Sequence, residues 1–160
     1  MNAVQTHLVL NHVPVLVPFL AALLVMVGMA HRSQPILRVA LGLLVFAALV
    51  AVPVYLTGEP VEDAVKGAPG VAEQQIDLHE DTALVSLILL CALGLTAGVG
   101  LVRYRRLPVP RGMSVAILVA SVIVAIQIAW TAHLGGLIRH TELQGASAAQ
   151  APPAPLDSDD

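Results

Sequence analysis

Cysteine, aromatic side chains and charged residues are all scarce in this sequence of 160 residues. The single cysteine, Cys91, lies within an apolar stretch, which excludes a disulfide framework and a metal site built from thiolates. Charged residues make up 12% of the chain and aromatic residues 3%, whereas 57% of the residues are hydrophobic. A soluble domain of this length does not need so much apolar material, but several membrane spans do. The composition therefore predicts an integral membrane protein.

Four apolar runs predict the fold. They cover residues 8–30, 36–56, 82–102 and 113–138, and Arg38 is the only charged residue within them. Each can cover the ~20 residues that cross a hydrocarbon core as a helix, and barrel strands would be shorter and would alternate in polarity. The first run lacks the basic start of a signal peptide and is too long for its apolar segment, so it is interpreted as a span. We predict an all-α, up-down-up-down four-helix bundle over residues 1–142.

Two segments outside the spans complete the predicted organisation. Pro60 is placed to begin a short helix through Lys66, in the loop between the second and third spans. Pro69 and Gly70 then break the chain, and a new helix is predicted to start near Val71 and to run into the third span. Residues 143–160 are rich in proline and alanine and end in acidic residues, which predicts a disordered tail. Within the third span, Gly94 and Gly98 form a pair of small residues four positions apart, which predicts a helix-packing surface.

The basic residues predict the orientation in the membrane. Six of the eight lysine and arginine residues lie in or beside two short connections, residues 31–38 and 103–111. Short loops rich in basic residues stay in the cytoplasm. The other side of the membrane carries only Lys66 and Arg139, together with every acidic residue. Both chain termini and the loop between the second and third spans are therefore predicted to lie outside.

With this orientation, five of the six histidines lie at the outer face. These are His7, His12, His79, His133 and His140. An imidazole within an apolar span is costly, and such residues usually mark a function. His12 and His133 lie at similar depth, each about one helical turn inside the apolar boundary. Depth therefore singles out these two as a candidate pair.

Four short motifs carry a resemblance to a known family. They are Asn11–Pro14 (NHVP), Thr57–Pro60 (TGEP), His79–Asp81 (HED) and Ala132–His140 (AHLGGLIRH). In this combination they resemble the motifs of a family of small bacterial four-span membrane proteins of unknown function. The resemblance covers nearly the whole chain except the tail. It implies a multi-pass protein of the bacterial inner membrane with its histidines at one face, and it implies no activity.

The sharpest functional hypothesis is a b-type haem for electron transfer, because four-helix bundles build cofactor sites from facing helices and imidazole is a common axial ligand. His12 and His133 are the predicted ligands. His79 and His140 are candidates for a second cofactor or for supporting contacts. Gly135 and Gly136 would leave room beside a macrocycle. The expected partners are the lipid bilayer and a periplasmic or membrane redox partner.

Two alternatives stay open at this point. In the first, the same four histidines and Glu59 bind zinc, copper or iron, since imidazole and carboxylate suit those metals. In the second, the protein is a non-catalytic scaffold subunit of a larger membrane complex. No nucleophile-and-base arrangement, phosphate loop or nucleic-acid patch stands out in the sequence.

Overall fold

The computed structural model describes residues 3–61 and 73–139. Within those ranges the chain forms no strand. Its main helices are α1 (Ala3–Leu10), α2 (His12–Ala30), α3 (Gln34–Leu56), α4 (Glu73–Arg103) and α5 (Arg111–Arg139), and residues 59–61 are helical as well. α1 and α2 form one nearly continuous rod, because the Asn11 N–H still donates to the His7 carbonyl oxygen at 2.9 Å. Pro14 lacks an N–H and cannot donate to Leu10, which explains the interruption at Asn11.

The four-helix prediction is confirmed. α2 packs on α3, α3 on α4, α4 on α5 and α5 back on α2, so that α2 lies diagonal to α4 and α3 diagonal to α5. Four helices, Gln5–Ala30, Gln34–Leu56, Glu73–Arg103 and Arg111–Ile138, are long and apolar enough to cross a membrane. α4 begins at Glu73, close to the helix start predicted near Val71 and well before the apolar run that starts at Thr82. Of the predicted short helix after Pro60, only its first residues are described, and they are helical; the predicted tail lies entirely outside the described residues.

The core of the bundle combines aliphatic side chains with many small residues. Leu41, Leu44, Leu90 and Ile117 are at most 2% exposed, and several alanines fill the space between them. A Cβ atom added to Gly94 would overlap the Cβ of Ala48 and would lie 3.1 Å from the Leu44 carbonyl oxygen. The glycine therefore permits the close approach of α3 and α4, which confirms the packing surface predicted there.

The outward faces of the helices are apolar as well. Leu49, Leu95 and Val102 are 69%, 71% and 72% exposed, and many other large aliphatic side chains share this exposure. A continuous apolar surface of this kind matches lipid tails and would be a liability in water. The protein is a multi-pass membrane protein.

Side chains and backbone tie the connections together at one end of the bundle. α2 ends in a Schellman turn: Ser33 N–H donates to the Gly28 carbonyl oxygen at 2.8 Å, and Arg32 adopts a left-handed φ of 51°. Arg38 donates to the carbonyl oxygens of Tyr104 and Leu107 at 3.4 and 3.2 Å. We call this the arginine end, defined by residues 31–38 and 103–111. The N-terminus of α1 and the C-terminus of α5 lie at the opposite end.

Candidate functional site

A cavity of about 930 Å³ lies at the end of the bundle opposite the arginine end. Its walls come from α1, α2, α3, α4 and α5, and from the turn that follows α3. Aliphatic side chains such as Val15, Leu90 and Ile128 form its deeper part, and Glu59 and Glu80 lie exposed near its opening. Two half-buried histidines, His7 and His79, also line it. We call it the histidine cavity.

His7 extends from α1 to the C-terminal end of α3. Its Nδ1 lies 2.9 Å from the carbonyl oxygen of Val54 and 3.4 Å from the hydroxyl oxygen of Thr57. Thr57 in turn donates its hydroxyl proton back to α3, with the Pro53 carbonyl oxygen at 2.7 Å. Gly58 lies beside the ring, since a Cβ atom there would be 3.8 Å from Cε1 of His7. The imidazole is thus anchored to a neighbouring helix.

His79 makes the corresponding contact from α4 to α5. Its Nδ1 lies 3.1 Å from the carbonyl oxygen of Thr131. A Cβ atom on Gly135 would lie 2.9 Å from Cε1 of His79, so only glycine leaves the ring its present position. Beneath the ring, the buried hydroxyl groups of Ser86 and Thr131 are 2.9 Å apart and join α4 to α5 again.

These contacts fix the position of the proton in each histidine ring. A carbonyl oxygen only accepts hydrogen bonds, so Nδ1 of His7 and of His79 must carry the proton. In the neutral ring, Nε2 then carries a lone pair without a proton. Histidines that bind metals are commonly oriented in this way, by an Nδ1–H bond to a backbone carbonyl.

The two histidines belong to a repeated local arrangement. In the first helical hairpin, His7 donates to the carbonyl of residue 54 and lies against the glycine at 58. In the second hairpin, His79 donates to the carbonyl of residue 131 and lies against the glycine at 135. In both hairpins the glycine follows the accepting residue by four positions. Because α2 and α4 are diagonal in the bundle, the two histidines approach the cavity from opposite corners.

The structure separates the sequence-predicted site residues. His79 and Glu59 line the histidine cavity, and His12 also lines it although its residue is exposed. His133 is exposed on α5, where its ring centroid lies 5.7 Å from that of Trp130, and it is not part of the cavity lining. His140 lies outside the described residues. The predicted pairing of His12 with His133 through one cofactor therefore stays a prediction, without a shared cavity in its support.

Sequence reasoning placed His7 at the correct end of the bundle but did not select it as a site residue. The available signal was its spacing from Asn11, four residues further along the same helical face and also in the cavity lining. Matching residues by depth favoured His12, which lies one residue after Asn11 and is more exposed than His7. Depth gives the level of a residue along the helix, and the direction of its side chain is a separate property.

Comparison with known proteins adds no relative. No protein-family model matches the chain, and neither a curated protein nor a solved structure matches it significantly. The fold and the cavity define the class: a multi-pass four-helix membrane protein with a histidine-lined cavity at one end. Its function must be argued from that cavity.

Proposed function

We propose that the protein binds a b-type haem in the histidine cavity, with His7 and His79 as the axial ligands, and that it transfers electrons at the outer face of the bacterial inner membrane. One observation carries the proposal. Two imidazoles from diagonal helices reach one cavity, and each is anchored at Nδ1 by a backbone carbonyl, with no partner for Nε2 among the described residues. Two such nitrogens are what bis-histidine ligation of a haem iron requires.

The cavity fits this group in size and in polarity. About 930 Å³ lies at the upper end of the range for pockets that hold cofactors, and a single metal ion needs far less. The aliphatic deeper wall would contact the macrocycle, and the open, acidic rim gives access to water. A bound haem would supply one-electron chemistry, and the low polarity around it would tune its potential. The chain's own residues would orient the ligands and exclude water.

A bare metal site is the main alternative. It would draw on His12, His79, His133, His140 and Glu59, with zinc, copper or iron as the ion. Among residues 3–61 and 73–139, no group of three or more histidine, cysteine or acidic side chains is placed to hold an ion. Since a haem needs only two ligands from the protein, the described geometry favours haem.

The experiment that tests the proposed function is a reduced-minus-oxidised absorbance spectrum of the purified protein, combined with metal analysis. We expect a low-spin bis-imidazole haem spectrum and about one iron per chain. If metal analysis finds a transition metal but the protein has no haem spectrum, the bare metal site is supported instead. If the purified protein contains neither haem nor metal, even after haemin is added, both the haem site and the bare metal site are contradicted. The hypothesis of a non-catalytic scaffold subunit would then remain.

We further propose that the histidine cavity faces the periplasm and the arginine end the cytoplasm. The positive-inside rule supports this orientation, and the motif resemblance supports the bacterial inner membrane. With Cys91 replaced by alanine, we expect a cysteine at exposed Glu73 to react with a membrane-impermeant maleimide in intact cells. A cysteine at exposed Arg105 should react only after permeabilisation, which serves as the control for reactivity. Labelling of position 105 in intact cells would contradict this orientation and would place the arginine end outside.

A further inference from the structure

Asn11 contributes an unused hydrogen-bond acceptor to the histidine cavity. Its side-chain oxygen, Oδ1, is buried and has no hydrogen-bond partner among the described residues. Asn11 also lines the cavity, four residues after His7 on the same helical face. A buried polar atom without a partner is costly and rare, so it calls for an explanation. A ligand that donates a hydrogen bond would provide one.

The hydroxyl groups around the cavity do not satisfy this acceptor. Thr57 donates to the carbonyl oxygens of Pro53 or Val54, at 2.7 and 3.1 Å. Thr131 has the carbonyl oxygens of Thr82 and Gln127 within 3.2 Å, and Ser86 bonds to Thr131. These protons are committed to the protein, and Tyr55, which also lines the cavity, makes no hydrogen bond to the Asn11 oxygen in the described structure. A ligand group that carries its own O–H or N–H donor would satisfy this oxygen.

The walls show what the rest of that ligand must be. Below Asn11 the cavity is bounded by Pro14, Leu87 and Leu90, and at its rim Leu8 and Leu56 are 46% and 69% exposed on the apolar surface. A ligand can therefore have a polar head beside Asn11 and an apolar tail that extends past Leu8 and Leu56 into the lipid. The deeper part of the cavity is then left to the haem.

We propose that the histidine cavity binds the head group of a lipid-soluble hydroquinone, and that Asn11 Oδ1 accepts a hydrogen bond from one of its hydroxyl groups. The hydroquinone site extends the proposed function and rests on it, because the proposed haem is the electron acceptor. Oxidation of one hydroquinone to the quinone would release two electrons and two protons. The haem would accept the electrons one at a time, the redox partner would reoxidise it after each, and the protons would pass to water. The protons leave at the cavity rim, where the exposed carboxylates Glu59 and Glu80 lie.

The proposal predicts that the reduced form of the ligand binds better than the oxidised form, because a quinone has no O–H to donate. The test titrates the full-length protein in lipid nanodiscs with decylubiquinol or decylubiquinone, without oxygen, and follows the shift of thermal unfolding. We expect the apparent Kd of the quinol to be lower by roughly fivefold to tenfold, the worth of one hydrogen bond. Equal affinities, or a preference for the quinone, would overturn the proposal.

Variants of Asn11 separate this role from a purely structural one. Asn11→Leu should remove the preference and bring the two affinities together, whereas Asn11→Asp keeps an acceptor oxygen and should keep the preference. Ser121 is the matched control, since its hydroxyl is also buried without a partner in the described structure but lies outside the cavity lining. Ser121→Ala should leave the preference unchanged. An unchanged preference in Asn11→Leu would refute the role of Asn11. If Asn11→Leu fails to fold, the wild-type preference and Asn11→Asp still decide the question.

The same samples distinguish failure of this inference from failure of the proposed function. A quinol preference in a protein without a haem spectrum would support the hydroquinone site and contradict the haem. A haem spectrum in a protein that does not prefer the quinol would support the haem and contradict the hydroquinone site. When both are present, decylubiquinol should reduce the haem in the wild type, and the rate at subsaturating quinol should fall roughly fivefold to tenfold in Asn11→Leu.

Discussion

Replacing His79 with alanine is expected to abolish the low-spin haem spectrum, and replacing His7 is expected to do the same. Each change removes one of the two imidazoles whose Nδ1 is anchored to a backbone carbonyl in the histidine cavity. The double replacement should add little, because two ligands of one iron act as a unit. The measurement is the reduced-minus-oxidised spectrum of each purified variant, with circular dichroism to confirm its helical content.

Three other histidines provide the controls for this series. His31 is exposed at the arginine end, and His31→Ala should leave the spectrum unchanged. His12→Ala and His133→Ala test the pair favoured by depth. If those two variants lose the spectrum while His7→Ala and His79→Ala retain it, the pair predicted from the sequence is correct and the proposed ligands are wrong.

Two glycines of α5 allow the His79 position to be tested without removing the imidazole. A side chain at residue 135 would meet Cε1, Nδ1 and Nε2 of His79, whereas one at residue 112 would have nothing within 4 Å and lies outside the cavity lining. Gly135→Val should therefore displace the ring and weaken cofactor binding by roughly 10- to 100-fold, as changes around a metal ligand do. Gly112→Val should bind the cofactor normally. Equal binding by both variants would show that the ring position is unimportant.

Replacing Gly94 with leucine is expected to cause the largest loss of stability in the bundle. A side chain there must overlap Ala48 and the backbone of Leu44, and backbone cannot move aside as a flexible side chain can. Forcing extra volume into a packed interface typically costs 1–3 kcal/mol, and we expect about 3 kcal/mol here because backbone is involved. The measurement is thermal unfolding in detergent, followed by circular dichroism.

Gly42→Leu is the matched control for that change. Gly42 lies in α3, and an added Cβ atom there has nothing within 4 Å. The variant should unfold at the wild-type temperature or above it, since leucine also favours helix more than glycine does. Equal unfolding temperatures for Gly94→Leu and Gly42→Leu would contradict the close packing of α3 against α4.

The helices were predictable because the membrane leaves the chain so few options. Long apolar runs must satisfy their own backbone groups, so their number and approximate limits could be read directly. The start of α4 at Glu73 lies in a polar segment outside the apolar run, but the break at Pro69 and Gly70 predicts a helix start near Val71, two residues away. Helical periodicity continues beyond the lipid boundary, whereas hydrophobicity stops there.

The site was predictable only in part, because it depends on the direction in which each side chain points. His79 was selected from the sequence, but His133 lies beside the inner face of α5 that Ile128, Thr131, Leu134 and Ile138 define by their burial. That face follows a three- and four-residue spacing from which His133 departs, so the signal was present in the sequence. The bond from His7 to Val54 could not be foreseen, since it depends on how far one helix is displaced along another.

The repeated arrangement of the two hairpins was also hidden, because it is built from backbone carbonyls, which every residue has. Only a histidine and a glycine mark it in each half, separated by 51 residues in one (7 to 58) and 56 in the other (79 to 135). No internal repeat is visible at that level of similarity. The equivalence becomes apparent only from hydrogen bonds and packing distances.

In the proposed site each hairpin supplies one imidazole, so neither half of the chain would hold the ligand alone. A ligand held by both would connect the halves, and its binding free energy would oppose their separation, by an amount that grows with ligand concentration. The protein would then resist unfolding when the ligand is bound and would unfold more easily when it is not. Cells that make more chain than ligand would accumulate a looser, shorter-lived form, so that supply of the ligand would set the amount of protein retained.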